Sequence, residues 1–247
     1  MIPNHRHFKS IGSTHTYAIE NGASLADRAI LTADYQSQGR GRSGRTWLSA
    51  EGQSLLISIV LKPAIPPLDA SLVTPILAVA TCELLQKFKL TASIKWPNDV
   101  LIRDKKIGGI LAEGCLIGSK LSHVVASLGL NIKQDEGELN TIDRPATSIL
   151  NETNLEPEPQ ELLEELLTIF FKLYDSFLEQ GFTAISDRWR DLMTLVGEEV
   201  LIDLGGQVMK GSVEGFGNDG AIEIRDHSNK LHRLHSGEIL KLTKPIL

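Results

Sequence analysis

The sequence predicts an α+β fold: a mixed, mainly antiparallel sheet with flanking helices, followed by a small C-terminal β-barrel. Three observations carry this. Four short apolar segments between Ser93 and Ile132 follow one another with tight turns, which favours antiparallel pairing. The stretch Pro159 to Phe182 repeats apolar residues at helical spacing. After Val196 the texture changes to short strands separated by glycine turns.

In chain order, Ala29 to Ala33 reads as a short strand that feeds a glycine- and arginine-rich loop. Leu55 to Leu61 is continuously apolar and β-branched, so it reads as a buried strand. Ser71 to Phe88 has helical length, with Pro75 near its first turn, where proline is tolerated. Strands follow at Ser93–Trp96, Val100–Ile102, Ile107–Glu113 and His123–Ile132, and Pro97-Asn98-Asp99 and Asp104-Lys105-Lys106 supply turn chemistry between them. In the helix from Pro159, Glu161, Glu164 and Glu165 load the first turns, where the dipole favours acids, and Gly181 is placed to end it. A shorter helix is expected over Ala184 to Leu195. Strands at Val200–Ile202, Val208–Val213, Ala221–Ile224 and Leu231–Leu234 complete the chain. The domain boundary is therefore expected near residue 195, giving units 1–195 and 196–247.

Lys plus Arg total 25 against 31 Asp plus Glu, a net charge of -6, which argues against a general nucleic-acid binder. Cys82 and Cys115 have no CxxC or zinc spacing, so neither a disulfide framework nor a zinc site is expected. The N-terminus lacks the apolar core of a signal peptide, and the apolar run Ala70 to Cys82 is too short to span a bilayer. The expected setting is cytoplasmic, with no membrane association.

Against this acidic background, Gly39-Arg40-Gly41-Arg42-Ser43-Gly44-Arg45-Thr46-Trp47 stands out as a local cationic loop. Glycine lets a ligand approach the main chain, and arginine offers a planar fork of donors to carboxylate and phosphate. A small anionic ligand fits that contrast better than a polyanion. The loop matches the G-x-G-x-x-G expression and nearly matches a P-loop, but both mechanisms need a helix to follow, and Leu48 to Gly52 leads into a strand instead. Gly215-x-Gly217-x-x-Gly220 matches the first expression too and reads as a hairpin turn. His5, His7, His232 and His235 lack a second ligand pair in sequence and read as surface or packing residues. Lys95-Trp96-Pro97-Asn98-Asp99 is either an ordinary turn or a cluster of polar groups beside an aromatic, and Lys106 precedes the small pair Gly108-Gly109.

Taken in order, these segments resemble the biotin–protein ligase family. The resemblance runs over most of residues 10 to 132 through Ser13-Thr14, Gln36, the Gly39–Trp47 loop, Lys95 to Asp99, Lys106 to Glu113 and Gly129 to Ile132. It implies a class II synthetase-like catalytic domain, an SH3-like C-terminal domain and an ATP-dependent ligation through biotinyl-adenylate, with Mg²⁺ as a cofactor and a biotin carboxyl carrier domain as acceptor. By resemblance, Lys106 bridges the biotin carboxylate and the α-phosphate, Arg42 joins it there, and Arg45 meets the triphosphate. Trp47, Asn98 and Asn131 take the adenylate part. Ser13, Thr14 and Gln36 meet the ureido end or the adjacent wall, and His15, Gly39, Arg40, Gly41 and Gly109 are also assigned to biotin. Asp99 receives the acceptor lysine. The family usually has Asn after Ser-Thr, where this chain has His15. The match starts close to Met1, so the monofunctional type without a DNA-binding domain is expected. Family members associate through sheet edges, which admits a homodimer. Lipoate–protein ligase is the alternative with the same adenylate chemistry, and a nucleic-acid-binding module the alternative of another class.

Overall fold

The computed structural model describes residues 2–139 and 145–243. The first sheet is built from β1 (His5–Ile11), β2 (Ala29–Gln36), β3 (Ser54–Leu61), β4 (Ala92–Lys95), β5 (Asp99–Ile102), β6 (Lys105–Ile117) and β7 (Lys120–Asn131). Their spatial order is β1-β2-β3-β7-β6-β5-β4. Every neighbouring pair is antiparallel except β1 and β2, which run parallel on either side of helix α1 (Thr14–Asn21). The expectation of a mainly antiparallel sheet therefore holds.

All eight residues of β3 are buried, because helices cover both sheet faces. One face carries Leu55, Ile57, Ile59 and Leu61 against α2 (Val73–Gln86) and the long helix α5 (Pro159–Gln180). The other carries Val60, with Leu31 and Val125, against α1 and Ala18. Cys82 of α2 is fully buried, and burial pushes its thiol up to about 12, so it is an inert core residue. A 3₁₀ turn at Pro67–Leu72 runs straight into α2. Together they make a span of 20 residues containing an 18-residue window of mean hydropathy 1.6, longer than the apolar run alone. Here that span is the central core helix.

Short helices α3 (Glu136–Leu139) and α4 (Ile149–Thr153) precede α5. In α5, Leu162, Leu163, Leu166, Leu167, Phe170, Tyr174 and Phe177 are buried as the periodicity predicts; Leu173 is buried as well, while Phe171 and Leu178, which share the apolar spacing, are not. Its end is set by Gly181, which has φ +73 and donates its N–H to Phe177 O at 2.8 Å. Only glycine adopts that conformation without strain. Gly181→Ala is expected to lower stability by about 1 kcal/mol, read by urea denaturation, with activity unchanged.

α6 (Thr183–Asp191) leads to the second sheet: β8 (Glu199–Asp203), β9 (Val208–Phe216), β10 (Ile222–Asp226), β11 (Leu231–Leu234) and β12 (Glu238–Thr243). The order is β11-β10-β9-β8-β12, so the last strand returns to pair with the first, as an SH3-like module requires. The sheet is not a separate apolar body. Trp189 of α6 packs edge-on against Phe216 of β9 at 5.3 Å, and one continuous core runs from α2 into β8, β9 and β10. Trp96 Nε1 donates to Gly220 O at 3.5 Å in the turn between β9 and β10, which is the hairpin expected of the second glycine motif.

Five elements were not foreseen: β1, α1, the short helices α3 and α4, and β12. β1 is an edge strand, HRHFKSI, with four of its seven residues exposed, so it lacks an apolar signature. α1 buries only Thr14, His15 and Ala18, and its start is fixed by Ser13, whose hydroxyl accepts from Thr16 N.

Candidate active site

Strand register places the site. On the α1 side of the sheet, Gly109 of β6 pairs with Gly129 of β7, which pairs with Leu56 of β3, and Asp99 of β5 pairs with Gly109 from the other side. The adjacent row on that face runs Leu111–Ser127–Ser58–Leu31. Of these two rows, Asp99, Gly109, Gly129, Leu56, Leu111 and Ser127 line a cleft of about 510 Å³, and Ser58 and Leu31 lie buried beside it. The residues predicted for the site converge on it. Ser13, Thr14, His15, Gln36, Arg40, Gly41, Arg42, Arg45, Trp47, Asn98, Asp99, Lys106, Gly109 and Asn131 all line it. Gly39 does not; its carbonyl accepts from Trp47 N at 2.9 Å, so it serves the loop rather than the cleft.

The arginine loop folds as a small hairpin. Arg40 and Thr46 form an antiparallel bridge, Gly41 N donates to Arg45 O at 2.8 Å, and a turn of 3₁₀ helix spans Arg42–Gly44. Ser43 and Gly44 take positive φ. The hairpin lays the Trp47 indole across the Gly109–Gly129 pair. A Cβ on Gly129 would sit 2.4 Å from Trp47 Cε2, and one on Gly109 would sit 3.1 Å from Trp47 Cζ3. The two glycines are therefore a bare platform for the ring. Lys106 Nζ lies 5.5 Å from the ring centroid, within cation–π range.

Lys106 Nζ also donates to Asp99 Oδ1 at 2.5 Å. The backbone of Lys106 is held on its other side by Pro145 O and Thr147 N, each at 2.9 Å. Asn98 Nδ2 donates to Ile110 O at 2.7 Å, which clamps the Pro97 turn onto β6. Arg42 Nη1 reaches Asn98 Oδ1 and Gly237 O, both at 3.5 Å. Burial holds the Arg42 guanidinium below its ordinary pKa, Asp99 opposes this and Arg45 reinforces it. Arg45 forms an ion pair with Glu238 of β12. The second sheet thus meets the arginine loop at the cleft mouth.

At the other end the cleft is neutral and polar. Gln36 Oε1 accepts from Thr14 N and from Thr14 Oγ1, Ser58 Oγ lies between Thr14 and Ser127, and His15 Nδ1 bonds Ser127 Oγ at 2.7 Å.

A model of the biotin/lipoate A/B protein ligase family matches residues 7–131, which contain both ends of the cleft. The chain belongs to the biotin/lipoate A/B protein ligase family. It is 30% identical over 218 residues to the biotin–[acetyl-CoA-carboxylase] ligase of Paracoccus denitrificans, covering 86% of this chain and 90% of that one. It is 27% identical over 232 residues to the bifunctional ligase/repressor BirA of Bacillus spizizenii, covering 93% of this chain and 71% of that one. A biotin protein ligase from Aquifex aeolicus in complex with biotin and ATP superposes with a TM-score of 0.80 at 28% identity, covering 98% and 100% of the two chains. The chain is a ligase.

Some of the predicted residues also have partners within the fold. The Asn131 amide is engaged at both ends, donating to Thr147 O at 2.9 Å and accepting from Gln134 Nε2 at 3.1 Å. It pins the 145–148 segment that forms one wall. Gly41 has φ -111 and a Cβ there would make only ordinary contacts, 3.4 Å from Arg45 O, so its own fold does not demand glycine. Residues not foreseen are Ser58, Ser127, Glu113 and the Gly237–Ile239 segment. The two serines did carry a signal, each being a hydroxyl flanked by apolar neighbours, Ile57 and Ile59 for Ser58 and Ala126 and Leu128 for Ser127. The 237–239 contact carried none, because it depends on how the second sheet packs. Among the described residues no group of three His, Cys, Asp or Glu gathers to hold a metal. His232 instead bonds Asp226 Oδ2 at 2.7 Å, and His5 and His7 share the Thr32 hydroxyl at 2.8 and 3.0 Å.

Proposed function

We propose that this chain is an ATP-dependent biotin–protein ligase that forms biotinyl-adenylate and then transfers biotin to a lysine of a biotin carboxyl carrier domain. One observation carries the reading. A single cleft has a cationic wall at one end and a neutral hydrogen-bonding floor at the other, with a glycine-backed indole between them. That division suits a ligand with a polar uncharged ring and an anionic tail, held beside a nucleotide. It also favours biotin over lipoate, since a dithiolane ring would leave the buried polar atoms of the floor unanswered.

In the first step a biotin carboxylate oxygen attacks the α-phosphorus of ATP, and the bond to pyrophosphate breaks. The barrier comes from bringing two anions together. Lys106 and Arg42 neutralise the carboxylate and α-phosphate, while Arg45 faces the departing pyrophosphate. Magnesium would be held through the triphosphate, as is usual for this ion. In the second step the acceptor amine attacks the biotinyl carbonyl and AMP leaves. Asp99 orients the incoming ammonium and helps deprotonate it, once the substrate anions draw Lys106 away from it. Residues 1–195 supply these groups, and 196–247 brace the arginine loop through Glu238. Ordering of that loop over the adenylate excludes water from a hydrolysable anhydride.

The test is incubation with biotin, ATP and Mg²⁺, followed by mass spectrometry of the bound species, with lipoate in parallel. Biotinyl-adenylate is the expected product; lipoyl-adenylate alone, or neither, would refute the assignment. Arg42→Ala is expected to speed dissociation of the adenylate by about tenfold or more, the scale of one lost charge-assisted hydrogen bond. An unchanged release rate in stopped-flow fluorescence would contradict the role given to Arg42. DNA binding that weakens steeply with salt would instead favour a nucleic-acid module.

A further inference from the structure

The direction of every hydrogen bond in the cleft floor follows from one backbone amide. Thr14 N–H donates to Gln36 Oε1 at 2.7 Å, so that Gln36 atom is an acceptor. Thr14 Oγ1 lies 3.0 Å from the same atom and commits its single proton there. Ser58 Oγ, 2.8 Å from Thr14 Oγ1, therefore donates to it. Ser127 Oγ, 2.7 Å from Ser58 Oγ, must then donate to Ser58. One role is left for His15 Nδ1, 2.7 Å from Ser127 Oγ: it donates an N–H. The neutral ring has one N–H, so Nε2 is a bare lone pair.

That lone pair is buried and has no hydrogen-bond partner, and His15 as a whole is 2% exposed. The charged groups facing it are Glu113 of β6, whose Oε1 is 3.5 Å from Nε2, and Arg40 of the loop, whose Nη2 is 3.3 Å from the same oxygen. Glu113 is a second acceptor and cannot satisfy the first. Burial keeps the imidazole below its usual pKa, with Glu113 opposing and Arg40 reinforcing this. Position in the first turn of α1 also disfavours a positive ring. Burial favours the neutral ring, which leaves Nε2 an acceptor with no donor, on a residue that lines the polar end of the cleft.

We propose that His15 is a specificity residue whose Nε2 accepts a hydrogen bond from an N–H of the ligand's ureido ring. The inference rests on the biotin reading and adds to it the atom that answers one ureido N–H. A ring without that N–H leaves the lone pair desolvated against the Glu113 carboxylate, which penalises it.

The experiment is calorimetric binding of biotin and of the two singly N-methylated biotins, one for each ureido nitrogen, to the wild-type protein and to His15→Asn. The Asn amide can still donate to Ser127 but is too short to reach the place of Nε2. With one of the methylated biotins, the loss relative to biotin is expected to be roughly tenfold larger in the wild type than in the variant. Wild-type biotin affinity is expected to fall as pH drops from about 7.5 towards 5, because protonating Nε2 removes the lone pair, and the variant should lose this limb. Histidine-selective ¹⁵N NMR of the free wild-type protein gives a readout independent of the variant's folding: His15 should be the Nδ1–H tautomer. Equal methylation penalties with superimposed pH profiles, or an Nε2–H tautomer, would overturn the inference while leaving the biotin reading intact. No biotin binding by the wild type would overturn both.

Discussion

Lys106→Ala is expected to lower the rate of biotinyl-adenylate formation by about 10²–10³-fold, the effect of removing one preorganised charge aimed at a transition state, or roughly 3 kcal/mol and more. The loss should appear in a pyrophosphate-release assay, with a smaller change in biotin affinity. The fold should survive, since the position is held by backbone bonds to Pro145 O and Thr147 N that alanine keeps. Two effects add. On the proposed mechanism the cation that would join carboxylate to α-phosphate is gone, and Asp99, paired with it at 2.5 Å, loses that partner where two more anions would bind. Adding Asp99→Asn to the variant should therefore restore part of the substrate affinity but not the rate. A single variant with near-normal turnover would refute the assigned role.

Gly129→Ala is expected to weaken ATP binding by about tenfold or more and to cost 1–3 kcal/mol of stability, roughly the penalty of overpacking. Its Cβ would lie 2.4 Å from Trp47 Cε2 and 2.7 Å from Cδ2 and Cζ2. The backbone cannot yield, because β7 is bonded at this position to β3 on one side and β6 on the other. The indole must leave its platform, and the hairpin that carries Arg40, Arg42 and Arg45 is displaced with it. Titration calorimetry and urea denaturation read the two effects. Trp47→Ala empties the space, so the double variant should bind ATP no worse than Trp47→Ala alone. If the second substitution worsened binding further, the platform would not be what Gly129 provides.

Most of the architecture was legible because its elements carry strong local signals. β3 is mostly apolar and buried throughout, and α5 keeps its periodicity over several turns and ends at a glycine of positive φ. Three of the elements missed draw their stability from partners. β1 is a mostly exposed edge that exists because β2 pairs with it, α1 is fixed by a cap and three buried residues, and β12 is placed by its pairing with β8. The site divided in the same way. Arginine and glycine chemistry marked the loop, and the ordered motifs marked Lys106 and Asp99. Nothing in the linear order said that Ser58 and Ser127, 69 positions apart, share a hydrogen bond or that Arg45 would meet Glu238.

From its amino acids alone this chain declares a cationic loop on an acidic protein and the strand pattern that will carry it. Those are properties of composition and of nearest neighbours along the chain. Which end of the cleft is charged and which is neutral was decided by register: a two-residue period puts Gly109, Gly129, Ser58 and Ser127 on one sheet face, and pairing across β5, β6, β7 and β3 sets them in rows. The proton order that leaves His15 Nε2 bare belongs to the tertiary structure in the same sense, because a hydroxyl has one proton to give and only the neighbours brought by folding determine where it goes.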